Sequence, residues 1–83
     1  MANIINQNRN RFKPALFLVV DRGCVPMTWD GDNSAMLLEA GERDGAEAYK
    51  EEQAKYLIEA STVWRRCNGY SDIDYFLLPL NIA

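Results

Sequence analysis

The sequence predicts an α+β domain. A small antiparallel sheet of three or four strands packs against one long amphipathic helix, in the order β-β-(β)-α-β. Two observations predict it. The segment from Asp44 to Gly69 carries apolar residues at helical spacing, between recognisable start and stop signals. Short apolar runs rich in strand-favouring residues precede and follow that segment, each bounded by Gly, Asp or Pro.

Residues 14–20, Pro-Ala-Leu-Phe-Leu-Val-Val, form an unbroken apolar run. Such a run suits a central strand, or one covered on both faces. Pro14 fits its first position, where no ladder donor is needed. Asp21-Arg22-Gly23 follows as a hairpin turn, with Gly23 expected to take the positive φ. Residues 24–29, Cys-Val-Pro-Met-Thr-Trp, read as a second strand, and Pro26 within it implies an edge or a bulge. Asp30-Gly31-Asp32-Asn33 is a strong turn signal. Residues 34–40 fit either a third strand or a short capped helix. Strand is preferred because Gly41 ends the run early and a two-turn helix is marginal alone.

The helix is predicted over Asp44–Cys67, about 35 Å at 1.5 Å per residue. Asp44 is a suitable N-cap, with Glu47 three residues on for a reciprocal contact. The apolar stripe reads Ala46, Tyr49, Tyr56, Leu57, Ala60, Val63, Trp64 and Cys67. Glu51 and Lys55 make a favourable i,i+4 pair on the other face. Arg65 and Arg66 suit the carbonyl end, and Asn68-Gly69 is a stop signal. A last strand is expected from Asp74 to Leu80, with Pro79 marking an edge or a strand end.

A chain of 83 residues makes one domain, and at 48% hydrophobic it is apolar enough to fold. Residues 1–11 are polar and Asn-rich, and read as a flexible basic arm ahead of a single domain over 12–83. Arg9, Arg11 and Lys13 are the charges of the first thirteen residues, and six basic against twelve acidic residues follow. The overall charge of −3 and a pI near 4.8 disfavour a nucleic-acid protein. Nucleic-acid association through Arg9, Arg11 and Lys13 is retained as the alternative.

The composition argues against catalysis. There is no histidine, the commonest general base and metal ligand. Asp30-Gly31-Asp32 begins like a calcium loop, but the sixth and twelfth positions of that loop are Ala35 and Gly41 in place of Gly and Glu. The five glycines match no phosphate-binding pattern. Cys24 has no neighbouring base, and Cys67 falls on the helix stripe as a buried thiol would. A bridge between them demands a geometry that sequence does not specify. Asp72 and Asp74 would share one face of a strand, yet a chain this small has little room for the desolvated cleft that paired carboxylates need. No catalytic residue, cofactor or metal is therefore assigned.

What is left is a surface. Trp29 beside the Asp30–Asn33 turn is a candidate exposed anchor. The acids Glu47, Glu51 and Glu59 lie on the outer helix face. Tyr70, Asp72, Asp74 and Tyr75 mix aromatics with acids in the way of binding patches. Trp29, Asp30, Asp32, Glu47, Glu51, Glu59, Tyr70, Asp72, Asp74 and Tyr75 are thus the candidate partner-binding residues. The expected function is a non-enzymatic protein-binding module that occupies a surface of a larger protein or complex. By size and composition alone it is similar to small phage or mobile-element inhibitors and adaptors, the anti-CRISPR type included. A structural homodimer is the third reading. The N-terminal stretch has no apolar core of a signal peptide and no run can cross a bilayer, so a cytoplasmic, membrane-free protein is expected.

Overall fold

A computed structural model of the chain describes residues 15–31 and 36–80. The basic arm at 1–11, with Arg9 and Arg11, lies outside the described residues, as do Lys13, Pro14 and Asp32. The chain is α+β: strands β1 (Leu16–Val20), β2 (Pro26–Trp29) and β3 (Leu37–Glu39), a 3-10 turn at Arg43–Gly45, helix α1 (Glu51–Cys67), and strand β4 (Phe76–Leu80). The strands form one antiparallel sheet in the order β3-β2-β1-β4.

β1 is internal, as its continuous apolar run predicts. Val19 faces α1, and Leu18 and Val20, which alternate to the other face, are only 3% exposed. The core cluster is Val19, Met27, Leu37, Tyr49, Ala54 and Leu57, with Ile58, Tyr75 and Leu77 packed against it. Each fully buried aliphatic side chain of this kind contributes about 1.5–3 kcal/mol.

The two strand prolines occupy different places. Pro79 sits on the edge strand, opposite Phe17. The Phe17 N–H and C=O are turned the other way, toward Tyr49, so this pair needs no proline donor. The donor that Pro79 lacks would have faced the side of β4 on which no described strand pairs, and its absence blunts that side. Pro26 overturns the expectation of an edge or bulge, since β2 lies between β1 and β3. It is tolerated because it opens the strand in register with Val20, while its carbonyl still accepts the Ala40 N–H at 2.9 Å.

The first hairpin closes with Cys24 N–H donating to Asp21 O at 3.0 Å and Asp21 N–H to Val25 O at 3.0 Å. The Asp21 carboxylate also accepts from the N–H groups of Gly23 and Val25, both at 2.9 Å. The positive φ falls on Cys24, at 61°, and not on Gly23. A three-residue hairpin loop puts its left-handed residue last, and here that residue is a cysteine.

The helix begins seven residues later than its periodicity predicts, and at 17 residues is about 25 Å long. Asp44 belongs to the 3-10 turn, and no side chain caps either that turn or α1, whose N-cap is Lys50. The reason is competition for the backbone. Tyr49 is held in the sheet, donating its N–H to Phe17 O at 2.8 Å and accepting the Phe17 N–H at 2.7 Å. A residue paired in this way cannot join a helical ladder.

The stripe is also rotated. Ala54, Leu57 and Ser61 are buried, whereas Tyr56 is 67% and Val63 60% exposed and Cys67 is exposed. Spacing defines an apolar stripe but does not say which side of it meets the sheet. Both cysteines are free thiols on the surface. The stop signal behaves as predicted. Gly69 takes φ 78°, Gly69 N–H donates to Arg66 O at 3.3 Å and Tyr70 N–H to Arg65 O at 2.8 Å, the paired bonds of a glycine-terminated helix end.

Candidate functional site

The sequence-derived surface residues separate into two groups, near opposite ends of β1. The first surrounds Trp29. Trp29 is 39% exposed, and Asp30 beside it is exposed, its N–H donating to Met36 O at 3.1 Å to close the second hairpin. Glu47 belongs with this group and not with the helix. Its N–H donates to Thr28 Oγ1 at 3.0 Å, and its Oε2 accepts the Tyr49 hydroxyl at 3.1 Å. The remaining helix acids are spread along α1. Glu51 is half-buried and pairs with Lys55 at 3.0 Å, as the i,i+4 spacing predicts, and Glu59 is exposed.

The second group lies where α1 hands over to β4. Tyr70 stacks on Trp64, with ring centroids 5.5 Å apart and planes 19° from parallel. The Arg65 guanidinium lies 5.2 Å from the Tyr70 ring centroid, within cation–π range. Arg65 Nε also donates to Ser71 O at 2.7 Å. Arg66 grips Asp72, Nε at 3.1 Å from one carboxylate oxygen and Nη2 at 2.9 Å from the other. Those hydrogen bonds hold the Asp72 carboxyl below its ordinary pKa and the guanidinium above its own. Asp74 pairs instead with Arg22 of the first hairpin at 3.3 Å, tying the loop across to β1.

Three expectations fail in this region. β4 starts at Phe76, so Asp72 and Asp74 stand in a loop and face different arginines. They form no carboxylate pair. Tyr75 is not a surface contact: it packs on the core, and its hydroxyl lies 3.0 Å from Ser61 Oγ. Trp64 and Arg65 were not predicted as site residues, yet they hold Tyr70 in place. Trp64 and Tyr70 are six apart, and their stacking depends on the chain reversing at Gly69. The signal for that reversal was readable in Asn68-Gly69.

Tyr70 is half-exposed, and Asp72 and Asp74 of the same loop each pair with an arginine. Among the described residues no three His, Cys, Asp or Glu side chains gather as metal ligands, and no helix is long and apolar enough to cross a membrane. Comparison with protein-family models, with curated proteins and with solved structures returned no match.

Proposed function

We propose that this chain is a non-enzymatic docking module that engages a larger protein or complex through the loop around Tyr70. The supporting observation is that Tyr70 is 50% exposed and yet its ring is held, stacked on Trp64 with the Arg65 guanidinium over it. An aromatic anchor already ordered before binding loses little conformational freedom when it docks. Asp72 and Asp74, each with its arginine, form a charged rim suited to orienting a partner. A small acidic body with such an anchor fits an inhibitor or adaptor that occupies a host complex, inhibition of the anti-CRISPR type being one such role.

The test is a tagged pull-down from the source cell, with the wild-type chain beside Tyr70→Ala. The expected result is one stoichiometric protein partner, whose affinity falls at least about tenfold in the variant while circular dichroism is unchanged. Undiminished capture by Tyr70→Ala would remove this surface from the reading. Salt-sensitive recovery of RNA or DNA would favour the nucleic-acid alternative.

A further inference from the structure

We propose that Asn68 is a site of spontaneous modification, and that its conversion to aspartate or isoaspartate releases the Tyr70 loop. The proposal rests on the Tyr70 reading only for what that release does to a partner. Asn68 is the one asparagine of the chain that a glycine follows. A following residue without Cβ leaves its main-chain nitrogen open to close approach. Chain neighbours apart, nothing stands within 4 Å of where a Gly69 Cβ would be. Both residues are exposed. At ψ 11° for Asn68 the Gly69 nitrogen is turned away from the Asn68 side chain, so ring closure waits on opening of the last helical turn. Helix ends open most readily, and the bond that holds the Gly69 nitrogen, to Arg66 O at 3.3 Å, is the longest main-chain bond there.

The chemistry needs water alone. The Gly69 nitrogen loses its proton to hydroxide and attacks Asn68 Cγ. A nitrogen–carbon bond forms, the Cγ–Nδ2 bond breaks, and Nδ2 leaves as ammonia with a proton from water. Water then opens the cyclic imide at either carbonyl, giving aspartate or isoaspartate at position 68. Both products undo the helix end. Asn68 Nδ2 now donates to Trp64 O at 2.8 Å, and a carboxylate in its place has no proton to donate. It also sets negative charge against the carbonyl end of α1, which disfavours it. Isoaspartate carries the main chain through the side chain and adds a backbone atom. The bonds from Gly69 N–H to Arg66 O and from Tyr70 N–H to Arg65 O then fall out of register. Those bonds bring the chain back so that Tyr70 stacks on Trp64, so either product frees the ring.

The test ages the purified full chain at mildly alkaline pH and follows it by peptide mapping with mass spectrometry. An isoaspartyl-specific methyltransferase separates the two products. Acid should accumulate at position 68 ahead of every other asparagine, and faster as pH rises. In a Trp29→Phe background, Trp64 is the sole indole. Its emission should shift to longer wavelength, and its near-ultraviolet dichroism should fall, in step with that conversion. Asn68→Gln, whose longer side chain closes such a ring far more slowly, should keep its own starting spectrum over the same period. An Asn68 that stays intact while other asparagines convert overturns the proposal. So does conversion that leaves the Trp64 signals unchanged, or an equal drift in Asn68→Gln. None of these readouts needs a partner. If Tyr70→Ala left partner capture undiminished, the docking reading would fail, and position 68 would still be decided by mass and by Trp64.

Discussion

The hydroxyl of Tyr49 accepts the main-chain N–H of Trp29 at 2.9 Å, closing a gap that would otherwise open in the sheet. β1 and β2 are paired at Val19–Met27 and Val20–Pro26 and then part. Continued in register, Phe17 would meet Trp29. Tyr49 takes that place instead, its main chain bonded to Phe17 and its side chain to Trp29. Thr28 points away from the helix that Met27 contacts, and Glu47 is bonded to Thr28. The chain thus passes from one side of the sheet to the other at Tyr49, just before α1 begins.

Tyr49→Phe should therefore destabilise the fold by about 1–3 kcal/mol, since it leaves a part-buried donor unpaired while keeping the ring. Chemical denaturation with unchanged m-value is the measurement. A change near zero would mean that solvent satisfies Trp29 in the variant.

The same residue predicts an alkaline limit. Burial first, then the Glu47 carboxylate to which it donates, hold the Tyr49 hydroxyl above the ordinary tyrosine pKa of 10.0, although the Trp29 N–H works the other way. The folded chain binds that proton more tightly than the unfolded chain. This contribution is therefore complete below the unfolded pKa near 10, and it is lost as pH rises through the folded value. Stability measured against pH should fall on the alkaline side, and Tyr49→Phe should flatten the fall. An identical profile in the variant would exclude Tyr49 as its source.

Ser61 is fully buried on the inner face of α1, where Oγ lies 3.4 Å from the Leu37 N–H and 3.0 Å from the Tyr75 hydroxyl. Ser61→Ala should cost about 1–2 kcal/mol, because it strands a buried donor on β3. Tyr75→Phe should cost less, since Ser61 then still meets Leu37. Equal losses would show that the Leu37 contact contributes little.

Cys24 holds a left-handed conformation that costs a non-glycine residue about 1–2 kcal/mol. Cys24→Gly removes that cost but adds freedom to the unfolded chain, for a net gain of about 0.5–1 kcal/mol. Cys24→Val should lower the melting temperature, because β-branching makes this conformation worse. If both variants melted with the wild type, the turn would be adapting to its residue.

Much of this architecture was legible in local patterns. The apolar run of β1 marked a strand buried on both faces, and Gly41, Gly69 and the Glu51–Lys55 pair behave as their neighbours imply. Tyr70, Asp72 and Asp74 were legible as surface residues, from aromatic and acidic composition in a loop. Their organisation by Trp64, Arg65, Arg66 and Arg22 was not, because it depends on which groups the chain reversal brings within reach.

Sequence by itself settled the class of the fold, the order of its elements apart from the segment 34–40, which fitted either strand or helix, and where the helix stops. Those follow from residue preferences and periodicities that act over a few neighbours. Tertiary structure alone decided where the helix starts, which side of its stripe meets the sheet, and that Tyr49 serves as a strand residue. The first and last are a contest between a local hydrogen bond and a distant one, whose partner, Phe17, lies thirty-two residues away in the chain, and the second is decided by packing against the sheet. Only once Phe17 and Tyr49 are paired is the register of everything from Glu47 to Glu51 determined.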